Sequence, residues 1–119
     1  MTREFLTPIK GVLQQAKEVV FTITDGPAFE IDPANGPLQL VTLGANRTPA
    51  FTNFESGQSV YTKIAAAGFA LTLSSVVWGS QTPGSSGTVP DFGATGFTHV
   101  EFWKVGSVLH GSFVCYTAT

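Results

Sequence analysis

The chain has 119 residues, enough for one domain with a real core, and only 12% of them are charged, about half the usual share. Its net charge of -2, with no basic cluster, argues against nucleic acid as a partner, and no apolar run approaches the roughly 20 residues of a membrane-spanning helix. A lone cysteine, Cys115, excludes an intrachain disulfide.

Residues 1–20 differ from the rest. Thr7-Pro8 reads as an N-cap followed by proline at the first helical position. Ile9, Val12, Leu13, Ala16 and Val20 then recur at helical spacing. The pattern predicts a short helix or an extended arm, too marginal to stand alone and so in need of a surface to lie on. Ile9, Val12, Leu13 and Ala16 are the candidate anchoring residues. The N-terminus has no signal-peptide layout, so the expected place of assembly is the cytoplasm.

From residue 21 onward one β domain is expected. Thirteen Gly and seven Pro, with abundant Thr, predict many short strands and turns. Strand patterns fall at Val20–Thr24, Ala28–Asp32, Leu38–Leu43, Thr48–Phe51, Gln58–Ala65, Phe69–Leu73 and Val76–Trp78. Asp25, Asp32 and Asp91 stand beside Gly or Pro, where a carboxylate caps turns. The segment Gly79–Pro90 is rich in Gly, Ser and Pro and predicts a long exposed loop. About eight short strands at regular spacing predict an antiparallel β-sandwich of jelly-roll type.

The last strands carry the strongest local signal. Two β-rich runs flank Gly106-Ser107, so a hairpin turning there pairs residues whose numbers sum to 213. Val100, Phe102, Leu109, Phe113 and Cys115 then share an apolar face expected to join the core. Trp103 faces His110, Glu101 faces Ser112 and His99 faces Val114 on the other side. That mixed face, His99, Glu101, Trp103 and His110, is the candidate subunit interface. Histidines in it would make the contact sensitive to pH near 6 to 7.

No residue set predicts a catalytic, metal or cofactor site. His99 and His110 lie about four positions apart along the ribbon, roughly 13 Å, too far to share a metal. The chain has no Gly-x-Ser-x-Gly elbow and no carboxylate pair at glycosidase spacing. Trp78 and Trp103 are the candidate stacking surfaces for a sugar ring, although filling a core or a subunit interface is the more usual role of such a side chain.

The ordered motifs resemble a known family. Leu40 to Thr48 resembles the "VTLGGNRT" stretch of a β-sandwich module of tailed-bacteriophage proteins, found at the ends of tail fibres and in other virion surface proteins. Thr24-Asp25-Gly26, Thr52-Asn53, Gly57-Gln58, Tyr61-Thr62, Leu71-Thr72-Leu73, Val77-Trp78 and His110-Gly111-Ser112 follow in the family's order. Leu73 departs from a frequent Trp, Pro49 from an aliphatic residue, and Val105 to Val108 from a polar turn. The resemblance covers about residues 22–117 and implies a non-enzymatic virion structural protein, a homotrimer that contacts other capsid or tail proteins. Without the family's usual coiled-coil stalk, the expected role is capsid decoration or a small tail-fibre or tail-associated protein. The alternative is a lectin-like module that binds a glycan receptor on the host surface.

Overall fold

The computed structural model describes residues 19–119. Period-two alternation becomes ladder strands where a neighbouring strand is available on at least one side. Six strands form one sheet: β1 (Phe21–Thr22), β2 (Leu38–Thr42), β3 (Ser59–Ala65), β4 (Val77–Trp78), β5 (Phe97–Val105) and β6 (Val108–Thr117). Their spatial order is β1-β2-β3-β5-β6-β4. The described residues are therefore nearly all β, as expected, with one helical turn at Pro33–Asn35.

The expected antiparallel arrangement needs correction. β3–β5 and β5–β6 are antiparallel, but β1–β2, β2–β3 and β4–β6 are parallel. Parallel neighbours need long crossovers, and residues 23–37 and 43–58 supply them. These crossovers, with the segments on either side of β4 (residues 66–76 and 79–96), form a layer of loops over one face of the sheet, where Phe29, Ile31, Phe54, Leu71, Leu73 and Phe92 join the buried cluster. The patterns at Ala28–Asp32, Thr48–Phe51 and Phe69–Leu73 contribute single bridges, Glu30 to Ala50 and Arg47 to Leu71, where longer strands were expected. Their alternation serves burial instead: Phe29, Ile31, Leu71 and Leu73 drop onto the sheet.

The core lies between that loop layer and the sheet. Val60, Ile64, Val100 and Phe102 are fully buried on the sheet side. Thr62 and Thr98 also face inward, and their hydroxyls donate to the carbonyls of Val100 and Phe92 at 2.8 and 3.1 Å. Each buried hydroxyl thus has the partner that burial demands. Phe102 is paired with Gly111, and the missing side chain lets Trp78 settle against Phe102 at 6.1 Å. A Cβ at Gly111 would come within 2.7 Å of Val76 and 2.9 Å of Trp78.

The hairpin turns at Gly106-Ser107 as expected, with Gly106 at φ 61°. Pairs from Val105–Val108 to Val100–Phe113 keep the sum of 213. A bulge between His99 and Val100 then shifts the register, so His99 pairs with Cys115, not with Val114. This corrects two expectations. Cys115 lies on the face opposite the core, and Phe113, although on the core side, is 41% exposed beyond the loop layer. Phe113 packs on Tyr116 instead, with ring centroids 4.6 Å apart.

The three turn aspartates behave as their neighbours predict. Asp32 accepts from Ala34 N–H and Asp91 from Gly93 N–H. Asp25 does more: its carboxylate accepts from the Gly44 amide at 2.8 Å and from two guanidinium nitrogens of Arg47 at 3.0 and 2.7 Å. The pair ties the end of β1 to the loop after β2. The Arg47 hydrogen bonds, opposed in part by desolvation, hold the Asp25 carboxyl below its ordinary value of 3.8. A depressed carboxylate pKa stabilises the fold above the unfolded value and loses that contribution as pH falls through the folded one. Asp25→Asn is therefore expected to be less stable than the native chain at pH 7 and to show a shallower acid limb in urea midpoints measured from pH 7 to pH 2. Parallel acid limbs for the two proteins would contradict this role.

Candidate functional site

One face of the sheet is covered by loops. The described residues place no layer on the other. Alternation along each strand decides which side chains stand there. β2 presents Leu38 and Leu40, β3 presents Ser59, Tyr61 and Lys63, and β5 presents Phe97, His99, Glu101 and Trp103. β6 adds His110, Ser112, Cys115 and Thr117 through its pairing with β5. An ordinary solvated sheet face is rich in charge; this one holds only Lys63 and Glu101 on those strands. At its hairpin end and beside β4 it carries Val105, Val108 and Val77, 62%, 40% and 50% exposed.

The face is pre-assembled by its own contacts. Tyr61, opposite Glu101 on β3, reaches the diagonal His99: the Tyr61 hydroxyl lies 2.8 Å from His99 Nδ1, and His99 Nε2 lies 2.8 Å from the Thr117 hydroxyl. A neutral imidazole accepts from one hydroxyl and donates to the other, so this chain locks β3, β5 and β6 together. Burial, reinforced by the nearby Lys63 charge, lowers the His99 pKa and favours that neutral form. Its own protonation is thereby moved downward from the ordinary histidine value of 6.5. Burial likewise raises Tyr61, aided by Cys115 and Glu101, and keeps the hydroxyl protonated. Glu101 is raised by burial against a smaller opposing hydrogen bond from Ser59.

The aromatic rings are equally ordered. Trp103 stacks on His110 with centroids 5.4 Å apart and planes 17° from parallel. Lys63 Nζ sits 4.2 Å from the centre of the Phe97 ring, a cation–π contact. The sequence-predicted set His99, Glu101, Trp103 and His110 is thus brought onto one face. Trp78 is not part of it: it lies on the core side against Phe102, at the rim of clefts lined by Leu73, Val76, Thr88 and Phe113. The two tryptophans therefore stand on opposite faces of the sheet. Ile9, Val12, Leu13 and Ala16 lie outside the described residues.

Tyr61, Lys63, Leu38 and Leu40 belong to the face and were not singled out from the sequence. Their signal is present in β3, where Tyr61 and Lys63 alternate with Val60, Thr62 and Ile64. Only the order of strands in the sheet sets them beside β5. Both ring nitrogens of His99 are occupied by hydroxyls, which suits a fixed strut better than a proton carrier. Among the described residues no group of three or more His, Cys, Asp or Glu could hold a metal ion. What the face can do with this chemistry is bind by shape, stacking and apolar contact.

No protein-family model, no curated protein and no solved structure matches the chain.

Proposed function

We propose that the chain is a non-enzymatic structural component of a tailed-phage virion. It is a β-sandwich surface module that assembles as a homotrimer and serves as capsid decoration or as a small tail-fibre or tail-associated protein. Residues 1–20 tie it into the particle. The observation that carries the reading is the weakly charged, aromatic sheet face built on Tyr61, His99, Trp103 and His110, a surface suited to another protein. The order of the phage-module motifs along residues 22–117 supports the same reading from the sequence. The test is attachment. Labelled full-length chain is expected to bind particles of the phage that carries the gene, and the chain without residues 1–20 is expected to fold and fail to bind. Equal binding by both would sink the attachment role of those residues, and no binding by either would sink the virion reading.

A second reading rests on Trp103 alone, whose ring is half-buried on the sheet face and stacked on His110. A lectin-like module would use such a ring as a platform for a host-surface glycan. Glycan-array binding abolished by Trp103→Ala supports this reading; an array with no bound glycan removes it.

A further inference from the structure

The loop side of the sheet carries a groove centred on Trp78. One cleft of about 490 Å³ has Trp78, Leu71, Leu73 and Val76 in its walls, together with the exposed Thr72, Ser74 and Thr88. A second, of about 240 Å³, shares Trp78 and Thr88 with the first and adds Ser80, Gln81 and Phe113. Joined at the indole, the two fall in the size range of small-molecule sites, roughly 300–1,000 Å³.

Trp78 is fixed before any ligand arrives. Its ring meets Phe102 in a T-shaped contact and lies over Gly111. Its backbone closes the base of the loop that follows. The Trp78 carbonyl accepts from the Gly87 N–H at 3.1 Å, and the Gly79 N–H donates to the Gly111 carbonyl at 2.9 Å. A Cβ at Gly87 would come within 1.8 Å of the Gly79 carbonyl oxygen, so only glycine lets the chain close this neck. Thr88 follows at once and lines both clefts with the indole. A wall held in this way loses little freedom on binding.

The chemistry of the walls selects the ligand. Neither cleft has a Lys, Arg, His, Asp or Glu in its lining. A charged ligand would surrender hydration there with no counter-charge to replace it. A wholly apolar ligand would cover the Thr, Ser and Gln side chains without giving them hydrogen-bond partners. A ring with an apolar C–H face and hydroxyls at its edge satisfies both kinds of wall. We infer that the Trp78 groove binds a neutral saccharide, with the indole as stacking floor, Phe113 as a second apolar wall, and Thr72, Ser74, Gln81 and Thr88 as partners for its hydroxyls. The groove lies on the side of the sheet opposite Trp103. It is therefore independent of any contact between copies through the open face, and it differs from a glycan site at Trp103 in the ring that it uses.

Amide chemical shifts of the isotope-labelled full-length protein test the inference. Neutral methyl glycosides and N-acetylglucosamine are the probes, with glucuronic and sialic acids as charged comparators. The neutral sugars are expected to move the Trp78 indole N–H and the Leu73, Gly87 and Thr88 amides, and the acids to move none. Thr88→Val keeps the shape of an exposed side chain and removes its hydroxyl, and is expected to weaken binding about fivefold. Trp78→Phe is expected to weaken it about tenfold, with urea unfolding as the control for folding. Trp103→Ala is expected to leave the affinity unchanged. Neutral sugars that move no amide at millimolar concentration, or only those around Trp103 and His110, overturn the inference. Acids bound as well as neutral sugars overturn the choice of ligand. Unchanged affinity in Thr88→Val overturns the role of the hydroxyls, whatever Trp78→Phe does to folding.

Discussion

Phe102→Ala is expected to cost about 3–5 kcal/mol of stability. Phe102 has no exposed surface, and it stands at the centre of the sheet between Val60 on β3 and Gly111 on β6. Its ring meets Phe51 at 5.2 Å and Trp78 at 6.1 Å, so it also holds the loop layer and the short strand β4. Truncation leaves a cavity that the surroundings fill poorly. Gly111 has no side chain to swing inward, and Val60 is a stiff β-branched residue. A small domain has only about 5–15 kcal/mol in total, so the loss is a large share. Urea unfolding followed by tryptophan fluorescence measures it. A loss below about 1 kcal/mol would mean that the site collapses freely and that Phe102 does not centre the core.

Trp103→Ala is expected to leave the fold intact and to weaken assembly. Trp103 belongs to the sheet face that no described layer covers, and its ring is held flat against His110. A large ordered aromatic at the middle of a contact is the kind of residue whose truncation costs about 2 kcal/mol or more in association. That is roughly a 30-fold rise in the dissociation constant. A dilution series by analytical ultracentrifugation reads the shift, with urea unfolding as the control for folding. An unchanged dissociation constant would place the contact elsewhere on the molecule.

The hairpin was legible in the sequence because its information is local. Gly106 takes the positive φ of the turn, and alternation on each side gives the register of six pairs. The bulge was not legible. It lies where His99 meets Tyr61 and Thr117, and neither β3 nor the far end of β6 is near His99 in sequence. The same distinction explains the strands. Residues 28–32 and 69–73 alternate like strands but pack as covering loops, because alternation reports burial of one side and not the presence of a ladder partner. Parallel pairing of β1, β2 and β3 arises from crossovers over the core, which period-two patterns do not encode. For the site, His99, Glu101, Trp103 and His110 were found together because one hairpin carries them all. Tyr61, Lys63, Leu38 and Leu40 joined them only through strand order. The placement of Trp78 on the opposite side follows from Gly111, whose missing side chain opens the space beside Phe102.

The aromatic sheet face is the proposed contact between copies of the chain. Native mass spectrometry of the full-length protein at micromolar concentration tests it most directly. One chain weighs 12.5 kDa, and the expected species has three times that mass. A single 12.5 kDa species at every concentration would contradict a contact between copies through that face.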